Sequence, residues 1–301
     1  MRSEVSASSP ASIRAGYRSA RAVTRHHAKS FWFASHALFG ARRRGAFALY
    51  AFCRRLDDVV DAPGADRAAL PARLDHARAL IRNLYRPAEN LPWPAWPEGE
   101  LAALRHTVQR FEVPEQPLHD LVAGMEMDLS KHRYADANEL DLYCYRVAGT
   151  VGLMMAPLLG CDDPRALTAA AELGHAMQLT NILRDVGEDL ARGRIYLPAD
   201  SLAAYDLTEA DLQRGTVDAR WRALMGAQIA RARGLYAQGF AGLCALRGFG
   251  AQTMVRVMAA VYGGILAAIE RAEFDVFTRR VHVPLSGKLR LAGRALITGA
   301  R

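Results

Sequence analysis

Apolar side chains recur every three or four residues along nearly the whole chain, in stretches rich in Ala, Leu, Arg and Glu. Nowhere do they alternate strictly between hairpin turns. That period belongs to helices with one buried face, not to half-buried strands. A chain patterned this way buries its core helix against helix, so the sequence predicts an all-α fold. Breaks fall where Pro and Gly cluster. Ala62-Pro63-Gly64 ends one helix, Pro87 to Gly99 reads as a loop, and Pro114 and Pro117 mark a joint. Asp163-Pro164 is an N-cap followed by Pro at the first helical position, and Thr208 with Asp211 resembles a capping box. No internal repeat points to a solenoid. Helix-length priors give about eight to ten helices. The expected organisation is a disordered segment over 1–15, one helical domain over 16–295 and a short tail over 296–301.

Composition narrows the function. The chain has 301 residues, 51% of them hydrophobic, enough to bury a core without staples. Four scattered cysteines with no C-x-x-C argue against a zinc ribbon or a redox pair and fit a reducing cytoplasm. The longest apolar run, Val147 to Cys161, is shorter than the ~18 continuous apolar residues of a membrane span and contains Gly149, Gly152 and Pro157, so it reads as a buried core helix. Residues 1–12 lack the apolar region of a secretory signal. A net charge of +8 favours an anionic partner, whether diphosphate, acidic membrane or nucleic acid, without choosing among them.

Two oxygen-rich stripes carry the chemistry. In the first, Tyr50, Arg54, Asp57 and Asp61 follow 4-3-4 spacing and share a helix face, with Leu56, Val59 and Val60 beside them. Like charges one turn apart destabilise an isolated helix by about 0.2–0.5 kcal/mol, so an acidic face on an otherwise apolar helix calls for counter-charge, and Arg54 offers some. In the second, Asn181, Asp185 and Asp189 stand at i, i+4 and i+8, with Gln178 and Arg184 alongside and Leu179, Ile182, Leu183 and Val186 as the apolar remainder. Rows of carboxylate and amide oxygens suit Mg²⁺ or Mn²⁺, and Mg²⁺ typically takes one or two carboxylates plus substrate phosphate oxygens. A lone D-x-x-x-D is more often a solvated face. Two such stripes in apolar helices, both with Arg adjacent, favour metal-bound diphosphate. No Walker A, dinucleotide or nucleophile-elbow pattern competes.

These residues resemble the squalene and phytoene synthase family of head-to-head prenyl synthases, from about Arg25 to Lys288. Arg54 to Asp61 (RRLDDVVD) matches the first Asp-rich motif. Gln178 to Asp189 (QLTNILRDVGED) matches the second, followed by Arg194 to Pro198 (RIYLP). Tyr143 to Gly152 (YCYRVAGTVG) matches the central helix. Gly124 to Leu129, Val151 to Met154 and Phe277 to Arg280 resemble the phytoene-forming branch.

The resemblance implies an isoprenoid-synthase-type helical bundle around a central cavity, in which the two stripes face one another. It also implies a reaction. One geranylgeranyl diphosphate ionises, its allylic cation is attacked by the double bond of a second, and proton loss closes a cyclopropyl diphosphate. A second ionisation, rearrangement and proton loss give phytoene, with no NADPH consumed. Asp57, Asp61, Asn181, Asp185 and Asp189 would then hold the metal ions. Tyr50, Arg54, Tyr143, Gln178 and Arg184 would be catalytic, the arginines on diphosphate oxygens and the aromatic faces near the cation. His27, Lys29, Ser30 and Phe31 match a substrate-binding stretch that often reads H-S-K-S, with Ala28 here at its second position. Ser35, Val151, Gly152, Tyr262 and Arg280 would complete the substrate site, with Lys288 at another basic position. Ser35 is small where shorter-chain relatives carry a bulky aromatic, which favours a twenty-carbon tail.

A farnesyl diphosphate-using enzyme making squalene, dehydrosqualene or presqualene diphosphate keeps the fold and changes the substrate. A helical module binding acidic membrane or nucleic acid would rest on the net charge and on Arg42-Arg43-Arg44, but leaves the paired Asp stripes without a purpose. The enzyme reading expects a prenyl diphosphate partner, no nucleic acid, and a cytoplasmic protein in loose contact with a membrane surface.

Overall fold

In the computed structural model no strand occurs among the described residues, which are 9–61, 67–86, 96–161 and 163–298. The helices are α1 (Pro10–His27), α2 (Lys29–Ser35), α3 (Gly40–Asp61), α4 (Leu70–Tyr85), α5 (Glu98–Phe111), α6 (Gln116–Ser130), α7 (Ala137–Cys144), α8 (Thr150–Leu158), α9 (Pro164–Arg184), α10 (Val186–Ala191), α11 (Ala199–Ala203), α12 (Glu209–Arg214), α13 (Ala219–Ala241), α14 (Phe249–Arg271) and α15 (Leu285–Thr298). A π-helical turn, Tyr145–Gly149, joins α7 to α8. This is more elements than helix-length priors suggest, because the loop-like stretch after Arg184 folds into three short helices, α10 to α12, of five or six residues each.

Helix starts follow the sequence signals. Asp163 Oδ1 accepts from the Arg165 amide at 2.9 Å. Thr208 and Asp211 form a reciprocal capping box, with the Thr208 amide 2.9 Å from Asp211 Oδ2. Helix α1 starts inside the segment expected to be disordered, since Ser9 caps it by accepting from the Ser12 amide at 3.1 Å and Pro10 pre-sets the first turn. The expected break at Ala62-Pro63-Gly64, most of the Pro87–Gly99 loop and the first eight residues lie outside the described residues.

The chain divides into two compact units. The first comprises Met1–Leu129, Leu153–Asp162 and Leu246–Met254. Here α1 lies along α3 and α5. The approach is close enough that a methyl group on Gly16 would fall 1.7 Å from the Gly99 carbonyl oxygen. Phe47, Phe52, Leu56, Leu74, Ile81, Leu104 and Leu121 are buried. The one buried carboxylate among the described residues, Glu100, receives both Arg55 Nε at 3.0 Å and Arg55 Nη2 at 3.1 Å, plus the Ser19 hydroxyl at 2.5 Å.

The second unit comprises Ser130–Gly152, Asp163–Ala245 and Val255–Arg301. Its spine is α9 packed on α13, with the π turn against α9. Glycines let α8 and the π turn approach α9: added methyl groups would fall 2.1 Å from the Ala170 oxygen at Gly152 and 2.2 Å from the Ala148 oxygen at Gly174. Leu179, Leu183, Trp221, Met225 and Ile269 fill the core. Helix α14 is long and apolar enough to cross a membrane by length and composition, with mean hydropathy 1.4 over its most apolar window, yet 61% of that window is buried.

Candidate functional site

The first stripe stands on α3 in the first unit. Tyr50 stacks on Phe31 with ring centroids 5.6 Å apart and planes at 24°, which ties the α2 residues to the stripe. The sequence suggests Arg54 as counter-charge for Asp57, three positions on. The structure pairs Arg54 Nη2 with Asp58 Oδ1 at 2.5 Å, one full turn away. Arg54 Nε is buried without an acceptor among the described residues, an uncommon cost for a charged donor and one that an anionic ligand would relieve. Asp57 is half-buried, and the Asp61 side chain lies outside the described residues.

On the neighbouring α2, Lys29 is exposed and Ser30 and Phe31 are half-buried; His27, the last residue of α1, is exposed. Helix α2 ends at Ser35. Ser35 is fully buried and its hydroxyl donates to the Trp32 carbonyl oxygen at 2.7 Å. Its small size therefore suits the tight packing around it.

The second stripe lies in the second unit, and its backbone departs from the single helix expected. Helix α9 stops at Arg184, Asp185 sits at the junction with φ −102° and ψ 12°, and α10 starts at Val186. The break has a long-range cause. The Gly187 amide donates to the Val276 carbonyl oxygen at 3.2 Å instead of continuing the helix, and a methyl group on Gly187 would fall 2.7 Å from that same oxygen. The spacing of the stripe survives nonetheless. The Asp185 amide donates to Asn181 O, and the Asp189 amide to Asp185 O, each at 2.9 Å. One-turn steps thus still link the three oxygen-bearing residues.

Two arginines grip Asp185. Arg184 reaches it at 2.7 and 2.5 Å, and Arg280 at 3.0 and 3.1 Å. Such planar forks match carboxylate and phosphate alike. Burial, reinforced by the Asp185 charge, pushes the Asp189 carboxyl up to about 7, a cost that a nearby cation would offset. Burial also raises the Tyr262 phenol, against the opposing field of Arg184. Asn181 Nδ2 approaches Gln178 Oε1 at 3.4 Å.

Tyr143, at the end of α7, is buried in an aromatic trio. Its ring lies 5.5 Å from Tyr134 and 5.1 Å from Tyr196, and its hydroxyl donates to that of Tyr196 at 3.3 Å. Sequence reasoning passed over Tyr134 and Tyr196, although Tyr196 lies within the RIYLP stretch directly after the second Asp motif. A small cleft lined by Ile182, Val186, Asp189, Arg194, Tyr196 and Leu212 joins that stretch to the stripe. Val151 is half-buried, and the backbone of Gly152 is where α8 touches α9.

The donor set suits a hard divalent cation: carboxylate and amide oxygens, with a carboxyl at Asp189 whose charge burial opposes. No group of three or more His, Cys, Asp or Glu forms a protein cage among the described residues. A cage is not required of Mg²⁺ completed by substrate phosphate oxygens.

Known proteins extend these observations. The squalene/phytoene synthase family model matches residues 24–286. A phytoene synthase from Arthrospira platensis is 41% identical over 295 residues, covering 93% of this chain and 92% of its own. A 15-cis-phytoene synthase from Synechocystis sp. is 41% identical, covering 93% and 84%. Among solved structures, a dehydrosqualene synthase in complex with ligand superposes with a TM-score of 0.86 at 26% identity, covering 96% of this chain and 98% of the other. A squalene synthase from Alicyclobacillus acidocaldarius superposes with a TM-score of 0.79 at 25% identity, covering 89% and 97%. With its helical architecture, its two oxygen-rich stripes and a family match over most of its length, the chain belongs to the squalene/phytoene synthase family.

Proposed function

We propose that the protein joins two molecules of geranylgeranyl diphosphate head to head, through a cyclopropyl diphosphate, to give phytoene and two diphosphates. The observation that carries this reading is the 41% identity to phytoene synthases over 93% of the chain. The resemblance to a dehydrosqualene synthase structure favours farnesyl diphosphate as the second candidate substrate.

Asp57, Asp61, Asn181, Asp185 and Asp189 are the residues that would hold Mg²⁺, with Mn²⁺ as a substitute. Bound there, the ion acts as a Lewis acid toward the departing diphosphate. The chain's own groups act with it. Arg54 has a buried donor without an acceptor and Arg184 a fork already shaped for oxyanions, so both neutralise diphosphate oxygens. Tyr50 and Tyr262 donate hydroxyl hydrogens to those oxygens, and Arg280 and Lys29 add charge at the edge. The faces of the Tyr143–Tyr196 pair attract a carbocation, and Gln178 presents an amide to the reacting region. His27, Ser30, Phe31, Ser35, Val151 and Gly152 shape the prenyl binding surface. The reaction ends in proton loss, so it takes no NADPH. Its substrate is an amphiphile and its product an oil, chemistry that suits a cytoplasmic enzyme in peripheral contact with a membrane surface.

The deciding experiment incubates the purified protein with Mg²⁺ and either geranylgeranyl or farnesyl diphosphate, and identifies the hydrocarbon by mass. A forty-carbon phytoene from the first substrate supports the reading. A thirty-carbon product made only from the second replaces it.

A further inference from the structure

Two phenylalanines stand out of the first unit rather than in it. Phe39 is 76% exposed and Phe249 is 78% exposed. Single exposed apolar residues need no explanation, but these two belong to segments in backbone contact. Arg42 Nη1 donates to the Arg247 carbonyl oxygen at 2.9 Å. A methyl group on Gly250 would fall 2.3 Å from the Ala37 carbonyl oxygen. The turn bearing Phe39 and the first turn of α14 therefore share one patch.

The backbone there is built to hold both rings out. Gly40, next to Phe39, has φ 58°, and Gly248, next to Phe249, has φ 104°. Both lie in the left-handed region that glycine alone enters freely. The two segments that bear the rings are basic. Arg42, Arg43 and Arg247 lie close to the rings in sequence, and no Asp or Glu occurs between Lys29 and Leu56 or between Ala219 and Ile269. Aromatic rings on basic segments match the layering of a bilayer whose apolar interior begins just beneath anionic headgroups.

We propose that Phe39 and Phe249 insert into the interface of an anionic lipid bilayer while Arg43 and Arg247 meet the lipid phosphates. The choice of lipid over another protein rests on this charge complementarity and on the apolar product of the reaction proposed above. The patch would dock the enzyme where its product dissolves.

The test is co-sedimentation of the full chain with extruded vesicles, without substrate, so that its result is independent of the prenyl transfer. Vesicles of phosphatidylcholine are compared with vesicles containing about one third phosphatidylglycerol. Binding to the anionic vesicles should be about tenfold tighter or more, and should weaken with salt. Phe39→Ser with Phe249→Ser should lose about tenfold or more of that binding while turning over substrate in detergent micelles at the wild-type rate. Arg43→Gln with Arg247→Gln, which keeps both rings, should lower anionic binding and spare the weak neutral binding. A control pair, Leu285→Ser with Leu289→Ser on the exposed part of α15, should bind as wild type. Wild-type binding by the phenylalanine pair, or loss only in the leucine pair, overturns the proposal. So does a wild-type dimer that the phenylalanine pair converts to monomers, since the patch would then be covered by a second copy.

Discussion

Arg280 and Asp185 are joined by two matched hydrogen bonds, Nε to Oδ1 at 3.0 Å and Nη2 to Oδ2 at 3.1 Å, across 95 positions of sequence. Arg280 is half-exposed while Asp185 is largely buried. The pair therefore contributes little to stability, but it holds an oxyanion-binding fork at the second stripe. Arg280→Ala should shift the melting temperature slightly and raise KM for geranylgeranyl diphosphate about tenfold, the loss of one charge-assisted contact. Steady-state kinetics at several Mg²⁺ concentrations check this. An unchanged KM with a higher Mg²⁺ requirement would show that Arg280 only orients Asp185.

Removing carboxylates should separate metal holding from structure. Asp57→Asn, Asp61→Ala and Asp185→Asn are each expected to lower kcat by about 100-fold or more with the helical circular dichroism intact. Asp185→Ala should differ. Charge repulsion along a helix suggests that its removal is harmless, but Arg184 is only 16% exposed and uses Asp185 as its partner. Leaving that guanidinium unpaired should cost about 1–3 kcal/mol, read as a lower melting temperature than that of Asp185→Asn. Near wild-type turnover in any of these variants removes that residue from the metal set.

Ser35→Phe tests tail length. Ser35 is completely buried, so a phenyl ring should overpack the wall at a cost of about 1–3 kcal/mol. The variant should lose activity on geranylgeranyl diphosphate and keep or gain it on farnesyl diphosphate. Ser35→Ala, which removes only the bond to the Trp32 carbonyl, should leave the ratio of kcat/KM for the two substrates unchanged. A constant ratio in Ser35→Phe would mean that this wall does not meet the tail.

Gly152→Ala should destabilise the second unit severely, since the added methyl would fall 2.1 Å from a backbone oxygen that cannot rotate away. A loss of about 3 kcal/mol should appear in thermal unfolding, and Val151→Ala beside it should cost much less. Equal melting temperatures for Gly152→Ala and wild type would show that the α8–α9 contact is loose.

Asp141 supplies the pH dependence. Burial alone would raise its carboxyl, but His175 Nε2 at 3.0 Å and the Arg231 guanidinium outweigh that and hold it below the ordinary range. A carboxyl depressed in the folded state adds stability above its unfolded value and loses it as pH falls through the folded one. The melting-temperature difference between wild type and Asp141→Asn should therefore be constant near neutrality and vanish in acid. A difference that persists below the carboxylate range would assign the effect to packing.

The helical class, the starts at Asp163 and Thr208 and the family itself were legible in the sequence, because each depends on residues within one or two turns of each other or on motifs in order. The two rows of oxygens were legible for the same reason: residue type and spacing put them on one face. What sequence reasoning left open within one turn is the choice of rotamer, by which Arg54 pairs with Asp58.

The tertiary structure decided the rest. The second stripe bends at Asp185 because a carbonyl at Val276, 89 positions from Gly187, competes for the Gly187 amide. Tyr134 and Tyr196 join Tyr143 only once α7 and the RIYLP stretch have packed. Asp189 acquires its raised carboxyl first from burial, to which the nearby charges of Asp185 and Glu188 add. Local spacing specifies which atoms a helix presents. Only packing specifies which long-range donor, ring or charge arrives to meet them, since those contacts depend on loop closure and desolvation that no single stretch of sequence encodes.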